Sequence, residues 1–536
     1  MPAANTWITH TFGGGWATDF GDSYYGGPDD AGFLPFPFLV NARNIIYEFD
    51  GGPHKAPGSV KYNTTAYGGA TGAIRLLFDY WRQGVAGSPT QRIIVASDNG
   101  TNTLIGQAAL SATSFTNLFT NLTTGAVPHC STFDDLLIIA TDNTSDVPRS
   151  WDGTTAQNLA GTPPRFSFSV PHKNRQWAAG DFANPSRLYY SVNVDPEDWV
   201  GVGSGSIDID PNDGDMIVGI ISHKNELIVF KGPNIGSIHR ITGSSPSGSD
   251  GYARIPLIRG LGGTWQNSLF RFGDDVGFIS PMANVHSLAA TAAYGDYNQS
   301  YLSFPISSNQ RTNVTHSRLR HWQAVDNAPQ GHVLISLTSS NSSANNDRVL
   351  LMDYRFLAQQ ERYPRWSYWD TFSLGALAMV SDTSSRRRVW AGGYTGTVWK
   401  LDQSTRTHDG TAISMQVTSP SMSYGSEERY KTIGAASISV RPFNTNSLTF
   451  GWTRDGNVQQ TQTVTQGLTG AVLGVFLLGT DSLGGSALFV PRFLDLEEGG
   501  EFRAVQYDVR DGINESDLEF HNIRVRLTVG AESTEN

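Results

Sequence analysis

The feature that most constrains this chain is the shortness and regular recurrence of its apolar runs. AIRLLFDY, QRIIVASD, DDLLIIATD, RLYYSVN, GHVLISL, DRVLLMDY and TVWKLD all fall between residues 71 and 405. Each is about 5–8 residues long, β-branched or aromatic, and bounded by Gly, Asn, Asp or Pro, which reads as a strand between turns. Several come as tightly linked pairs. MIVGIISHKNELIVF folds back across His223-Lys224-Asn225, RVWAGGYTGTVWKL across Tyr394-Thr395-Gly396, and PRSWDGTTAQNL at Asp152-Gly153. Helix surfaces need long stretches of Glu, Lys, Arg and Gln, but charged residues are only 16% of the chain and Gly numbers 57. The fold class is therefore all-β.

The paired units return about every 40–55 residues, the length of a four-stranded propeller blade. Residues 71–405 are expected to form a degenerate β-propeller of about six or seven blades. Two stacked β-sandwiches are the alternative; a closed ring better removes exposed strand edges. Residues 1–70 read as an extended N-terminal arm rich in Gly, Pro and aromatics, followed by a first hairpin at Asp50-Gly51-Gly52. The pattern changes near 406. Residues 406–536 are expected to form a C-terminal antiparallel β-sandwich, with IRVRLTV alternating as a strand solvated on one face does. That break predicts two units that unfold separately.

Composition also limits the partners. A net charge of −11 disfavours gripping phosphate backbones. The single cysteine, Cys130, permits no intrachain disulfide and fits synthesis in a reducing compartment. The start, MPAANTWITHTFGGGW, lacks the charged and apolar regions of a secretory signal, so Asn121-Leu122-Thr123 reads as turn chemistry rather than a glycosylation site. AVLGVFLLG (471–479) is too short for a membrane span.

The sequence offers little catalytic chemistry. Gly260-Leu261-Gly262-Gly263 lacks the third glycine of a phosphate loop, and Trp265 stands where a helix should begin. In DIDPNDGD (208–215), Asp208, Asp210 and Asn212 match positions one, three and five of a calcium loop. Asp213 and Gly219 occupy positions that need Gly and Glu, so an acidic turn is the better reading. His316 and His321 lie in a polar loop without metal-ligand spacing. Cys130 follows His129 directly, which sends the two side chains to opposite faces of a strand. A glycosidase propeller would need paired carboxylates at its axis; Asp181, Asp274, Asp275 and Asp353 are available, though all read as turn residues. No catalytic residue, cofactor or metal is expected, and the chain does not read as an enzyme.

The order of several segments does carry a resemblance. NARNIIYEFDGGPHKAPGSVKYN, then NRQWAAGDFANPSRLYYSVNVDPEDW, GDMIVGIISHKNELIVFKGPNIGSIHRITG and FRFGDDVGFISPMANVHSL, then NDRVLLMDYR, RWSYWD and GYTGTVWKLD, and finally GGEFRAVQYDVRDG with FHNIRVRLTV follow one another over most of the chain. This order resembles the tail nozzle proteins of short-tailed bacteriophages, also called tail tubular protein B or tail stabilisation proteins. Lys55-Ala56-Pro57-Gly58 departs from that family's frequent Arg before Pro-Gly. The resemblance implies a structural virion component made in the bacterial host cytoplasm. It would form a homohexameric ring at the distal end of the tail, between a portal-proximal adaptor ring and the tail fibres or needle. Double-stranded DNA would pass through its lumen without specific binding. An acidic chain further predicts a lumen lined by Asp and Glu, with the 208–215 turn and Glu497, Glu498 and Glu501 as candidates. The competing readings are a carbohydrate-binding or glycosidase-like propeller and a peptide-binding scaffold propeller.

Overall fold

A computed structural model describes residues 6–19, 38–48, 52–84, 89–248, 251–289, 301–342, 344–355, 357, 363–382, 386–402, 404–424, 429–441, 446–466, 490–494, 496, 500–511 and 517–529. The chain is all-β and its middle is a propeller. Seven sheets follow one another among the described residues. The first is Ala73–Arg82, Thr90–Asp98, Asn102–Ala108 and Thr116–Thr123; the second runs from Pro128–Phe133 to Ala156–Asn158, the third from Phe168–His172 to Gly205–Asp208, and the fourth from Met216–His223 to Ala253–Arg259. The fifth has three strands, Phe270–Phe272, Asp275–Ile279 and Val285–Ser287. The sixth is Gln323–Asn327, His332–Leu337, Arg348–Asp353 and Arg365–Trp369, and the seventh holds Ala376–Ser381, Arg387–Gly392 and Val398–Asp402. First strands of successive blades touch except those of the fourth and fifth, and the first strand of the seventh blade returns to that of the first. There the short turn Gln266–Ser268 touches the first strands of the fourth and sixth blades and completes the ring.

Turn chemistry explains why the hairpins form. In the second, third and fourth blades the first hairpin closes through two residues, Asp134-Asp135, Lys173-Asn174 and Lys224-Asn225. All six have positive φ. That is the type I′ geometry whose twist matches the strands, and Asp and Asn tolerate it better than other non-glycine residues. Between the blades, large aromatics supply volume: Trp177, Trp366 and Trp390 are all 0% exposed.

Within its described residues, the N-terminal segment is paired into the body rather than extended alone. Its described strands are built into three sheets. Gly58–Lys61 pairs with Val398–Asp402 as the fourth strand of the seventh blade, closing the ring with the beginning of the chain. Ile45–Tyr47 and Pro53–Lys55 form the expected hairpin, whose tip at 49–51 lies outside the described residues. That hairpin and Thr6–Thr11 both join Glu519–Val529 of the C-terminal region. Asn41–Arg43 pairs with Gln416–Thr418 on one side and Arg365–Trp369 on the other, so one nine-stranded sheet runs from the sixth blade into the C-terminal region.

The C-terminal region is a two-sheet sandwich. Its core includes Ile438, Phe450, Tyr507, Val509, Ile523 and Val525, all 0% exposed. Ile523, Val525 and Leu527 point inward while Arg524 is exposed, as the alternation requires. The same hydrophobic cluster takes in Phe270, Ile335 and Trp366 from the fifth and sixth blades. This arrangement argues against two separately unfolding units. A shared sheet and a shared core join propeller and sandwich, because long-range pairing of residues 6–61 crosses the boundary that local pattern marked near 406.

Candidate functional site

First strands of four blades, with residues 266–269, enclose an axial cavity of about 550 Å³. Several of its polar side chains join blades. Gln323 donates to Arg75 O (2.6 Å) and accepts from Leu377 N (3.1 Å), tying the sixth blade to the first and seventh. Gln266 accepts from Ile220 N (2.7 Å) and donates to Ile220 O (3.0 Å), imitating a strand where the fourth and fifth blades meet. Asp79 accepts from Gln91 Nε2 (2.6 Å) and Ser381 N (3.1 Å). His129 and Cys130 also line this cavity. Burial pushes His129 down to about 4 and raises the Cys130 thiol, so near pH 7 the pair is a neutral imidazole beside an un-ionised thiol.

The carboxylates considered for glycoside chemistry lie on three different blades and serve separate partners. Asp181 caps its own turn, accepting from Ala183 N (2.9 Å), Asn184 Nδ2 (3.0 Å) and Tyr189 OH (2.7 Å). Asp274 pairs on the surface with Lys224 (2.8 Å). Asp275 accepts from Ser287 Oγ and from Ala289 N (2.9 Å). Asp353 is buried against Arg355 (2.6 Å) and His332 (3.4 Å). None of the four lines the axial cavity.

The acidic turn at 208–215 wraps an ammonium group. Lys231, 0% exposed, donates to both oxygens of Asp213 (2.7 Å each), to Ile209 O (2.8 Å) and to Asp210 O (2.9 Å). Asp215 accepts from the backbone of Asn234, Ile235 and Gly236 (2.7–3.0 Å). Asp210 pairs with Arg254, and Asp208 with Arg187 (2.8 Å). Lysine therefore fills the place a cation would take, and the turn's charge is largely matched. Among the described residues no group of three or more His, Cys, Asp or Glu could hold a metal. Gly262 sits tightly against the Lys231 carbonyl, where an added Cβ would clash, so that glycine step serves backbone packing. His316 hydrogen-bonds Arg311 O (3.0 Å), and burial with Arg318, Arg75 and Arg320 pushes His321 down to about 3. Glu501 is exposed, whereas Glu497 and Glu498 lie outside the described residues.

A dense charged cluster among the described residues has no local sequence signal. At the junction of N-terminal hairpin, propeller and sandwich, His54 lies between Glu48 (2.5 Å) and Asp517 (2.7 Å), and Arg406 grips Asp517 with two bonds (2.6 and 2.7 Å). Beside them Lys55 and Asp511, both with fully buried side chains, form an ion pair. Burial opposes the His54 imidazolium, but the bonds to Asp517 and Glu48 prevail and hold it at about 9. Burial likewise opposes the Asp517 carboxylate, yet His54 and Arg406 hold it near 2. The folded value of His54 exceeds its ordinary 6.5, so its contribution is complete below pH 6.5 and disappears as pH rises through 9. Asp517 works in the opposite sense: its contribution is complete above pH 3.8 and is lost as pH falls toward 2. Urea midpoints should therefore drop between pH 7 and 10 by roughly 2–3 kcal/mol of stability. His54→Gln should remove that alkaline limb; an unchanged limb would deny the cluster this role.

No family model matches the chain, and no curated protein matches it. Among solved structures it is similar to BBS1N in complex with ARL6DN, at 10% identity over 64% of this chain and 97% of that one, with a TM-score of 0.37. It is similar to Sqt1 of Saccharomyces cerevisiae at 10% identity over 64% and 99% (TM-score 0.35). An exo-beta-1,3-galactanase from Phanerochaete chrysosporium aligns at 9% identity over 88% and 100% (TM-score 0.27). Likenesses this low carry no functional argument, and the propeller rests on the strand order above.

Proposed function

We propose that the chain is a tail nozzle protein of a short-tailed bacteriophage, a structural component of the virion that assembles as a hexameric ring. The observation that carries this reading is the order of motifs along most of the sequence. The interlocked architecture supports it, since a tube through which a genome is ejected needs modules that do not hinge. One ring face meets the adaptor ring and the other the fibres or needle, while duplex DNA slides through a lumen that repels it.

Two separate sets of exposed apolar side chains suit a heterologous, head-to-tail interface. Trp7, Val458 and Phe493 project from the sandwich, Phe493 on an edge strand, and Val200 and Val202 project from the third blade's loop. Light scattering of the chain with its adaptor ring should give about six copies, near 350 kDa of this 58.2-kDa subunit. Phe493→Asp should weaken ring formation at least tenfold while leaving the thermal midpoint of the monomer in place. A monomer at every concentration, with or without the adaptor, would refute the ring.

A further inference from the structure

Among the described residues, two arginines meet at the ring closure without an ion-pair partner. Arg75 stands at the start of the first blade, Arg318 in the turn His316–His321 before the sixth, and Tyr394 in the last turn of the seventh. The Arg75 guanidinium lies 5.6 Å from the centre of the Tyr394 ring. Arg318 bonds Thr338 Oγ1 (3.3 Å) and reaches the Tyr394 hydroxyl. Arg75 Nε and one Nη of Arg318 are buried and hydrogen-bond to nothing among the described residues. The carboxylate felt at Tyr394 is Asp347, which accepts from Ser339 N (2.7 Å) and Oγ (2.6 Å) and makes no ion pair with either arginine among the described residues. The Tyr394 oxygen already accepts from Asn346 N (2.7 Å), which leaves its own proton to donate.

Both side chains are half-buried, and each buries a nitrogen beside a like charge, an arrangement that costs stability unless an anion compensates it. Their planar forks and unused donors match a tetrahedral oxyanion. We propose that Arg75 and Arg318, with the Tyr394 hydroxyl, bind an oxyanion of the phosphate class, which staples the sixth and seventh blades to the first. His321, held low first by its burial, also feels the positive charges of Arg318, Arg75 and Arg320. A free phosphate and a phosphodiester offer the same oxygens.

The test is thermal unfolding of the full chain at constant ionic strength, with inorganic phosphate, dimethyl phosphate or acetate replacing chloride. The midpoint should rise saturably with phosphate. Arg318→Gln should raise the midpoint in chloride, because it removes repulsion, and weaken the phosphate response at least tenfold. Arg75→Gln, whose side chain hydrogen-bonds to nothing among the described residues, should do the same and serves if the Arg318 variant does not fold. An equal response to dimethyl phosphate identifies a diester as the ligand; a response to inorganic phosphate alone identifies the free ion. An equal response to acetate, an unchanged response in both variants, or no response in the parent overturns the proposal.

Discussion

Deleting residues 1–61 should abolish cooperative folding of the whole chain, propeller included. The deletion removes the closing strand of the seventh blade, leaving the Trp399–Asp402 edge unpaired. It also removes the strand that joins the sixth blade to the sandwich and two contributions to the Glu519–Val529 sheet. Phe12, Leu39, Ile45 and Tyr47 are at most 1% exposed. At about 1.5–3 kcal/mol for each large buried side chain, their loss alone approaches the 5–15 kcal/mol that stabilises a typical domain. Circular dichroism of the truncated chain should show no sigmoidal thermal transition. A transition within a few degrees of the parent's would mean that the segment is a dispensable arm.

The second large effect is expected at Lys55. With both side chains of the Lys55–Asp511 pair fully buried, removing one partner strands the other's charge, which costs about 3–5 kcal/mol. Lys55→Met or Asp511→Leu should each lower the denaturation free energy by that amount. The double variant should recover most of it, because two apolar groups need no counter-charge. Additive losses in the double variant would show that packing, not charge, sets the cost.

Sequence legibility followed sequence distance. Hairpins at 216–232, 149–158 and 387–402 were readable because strand, turn and return strand are contiguous, and Asn225 or Gly153 announces the reversal. The blade number fell within the expected range. What local pattern could not reveal was pairing across the chain: Gly58–Lys61 meets Val398–Asp402, and Lys55 meets Asp511 456 positions away. Gly- and aromatic-rich stretches such as HTFGGGW look unstructured because their partners are remote. The same limit hid the Arg75–Arg318–Tyr394 cluster, whose members come from three blades, and the Lys231 ammonium inside the acidic turn. The 208–215 turn resembled a cation loop for a sound chemical reason, since it does surround a positive charge.

The central claim is tested most directly by electron cryomicroscopy of virus particles that carry this chain. The account predicts a ring of six copies at the distal end of a short tail, continuous with the channel that leads from the portal. Particles that lack the chain, or that carry it only as peripheral spikes off the tail axis, would contradict it.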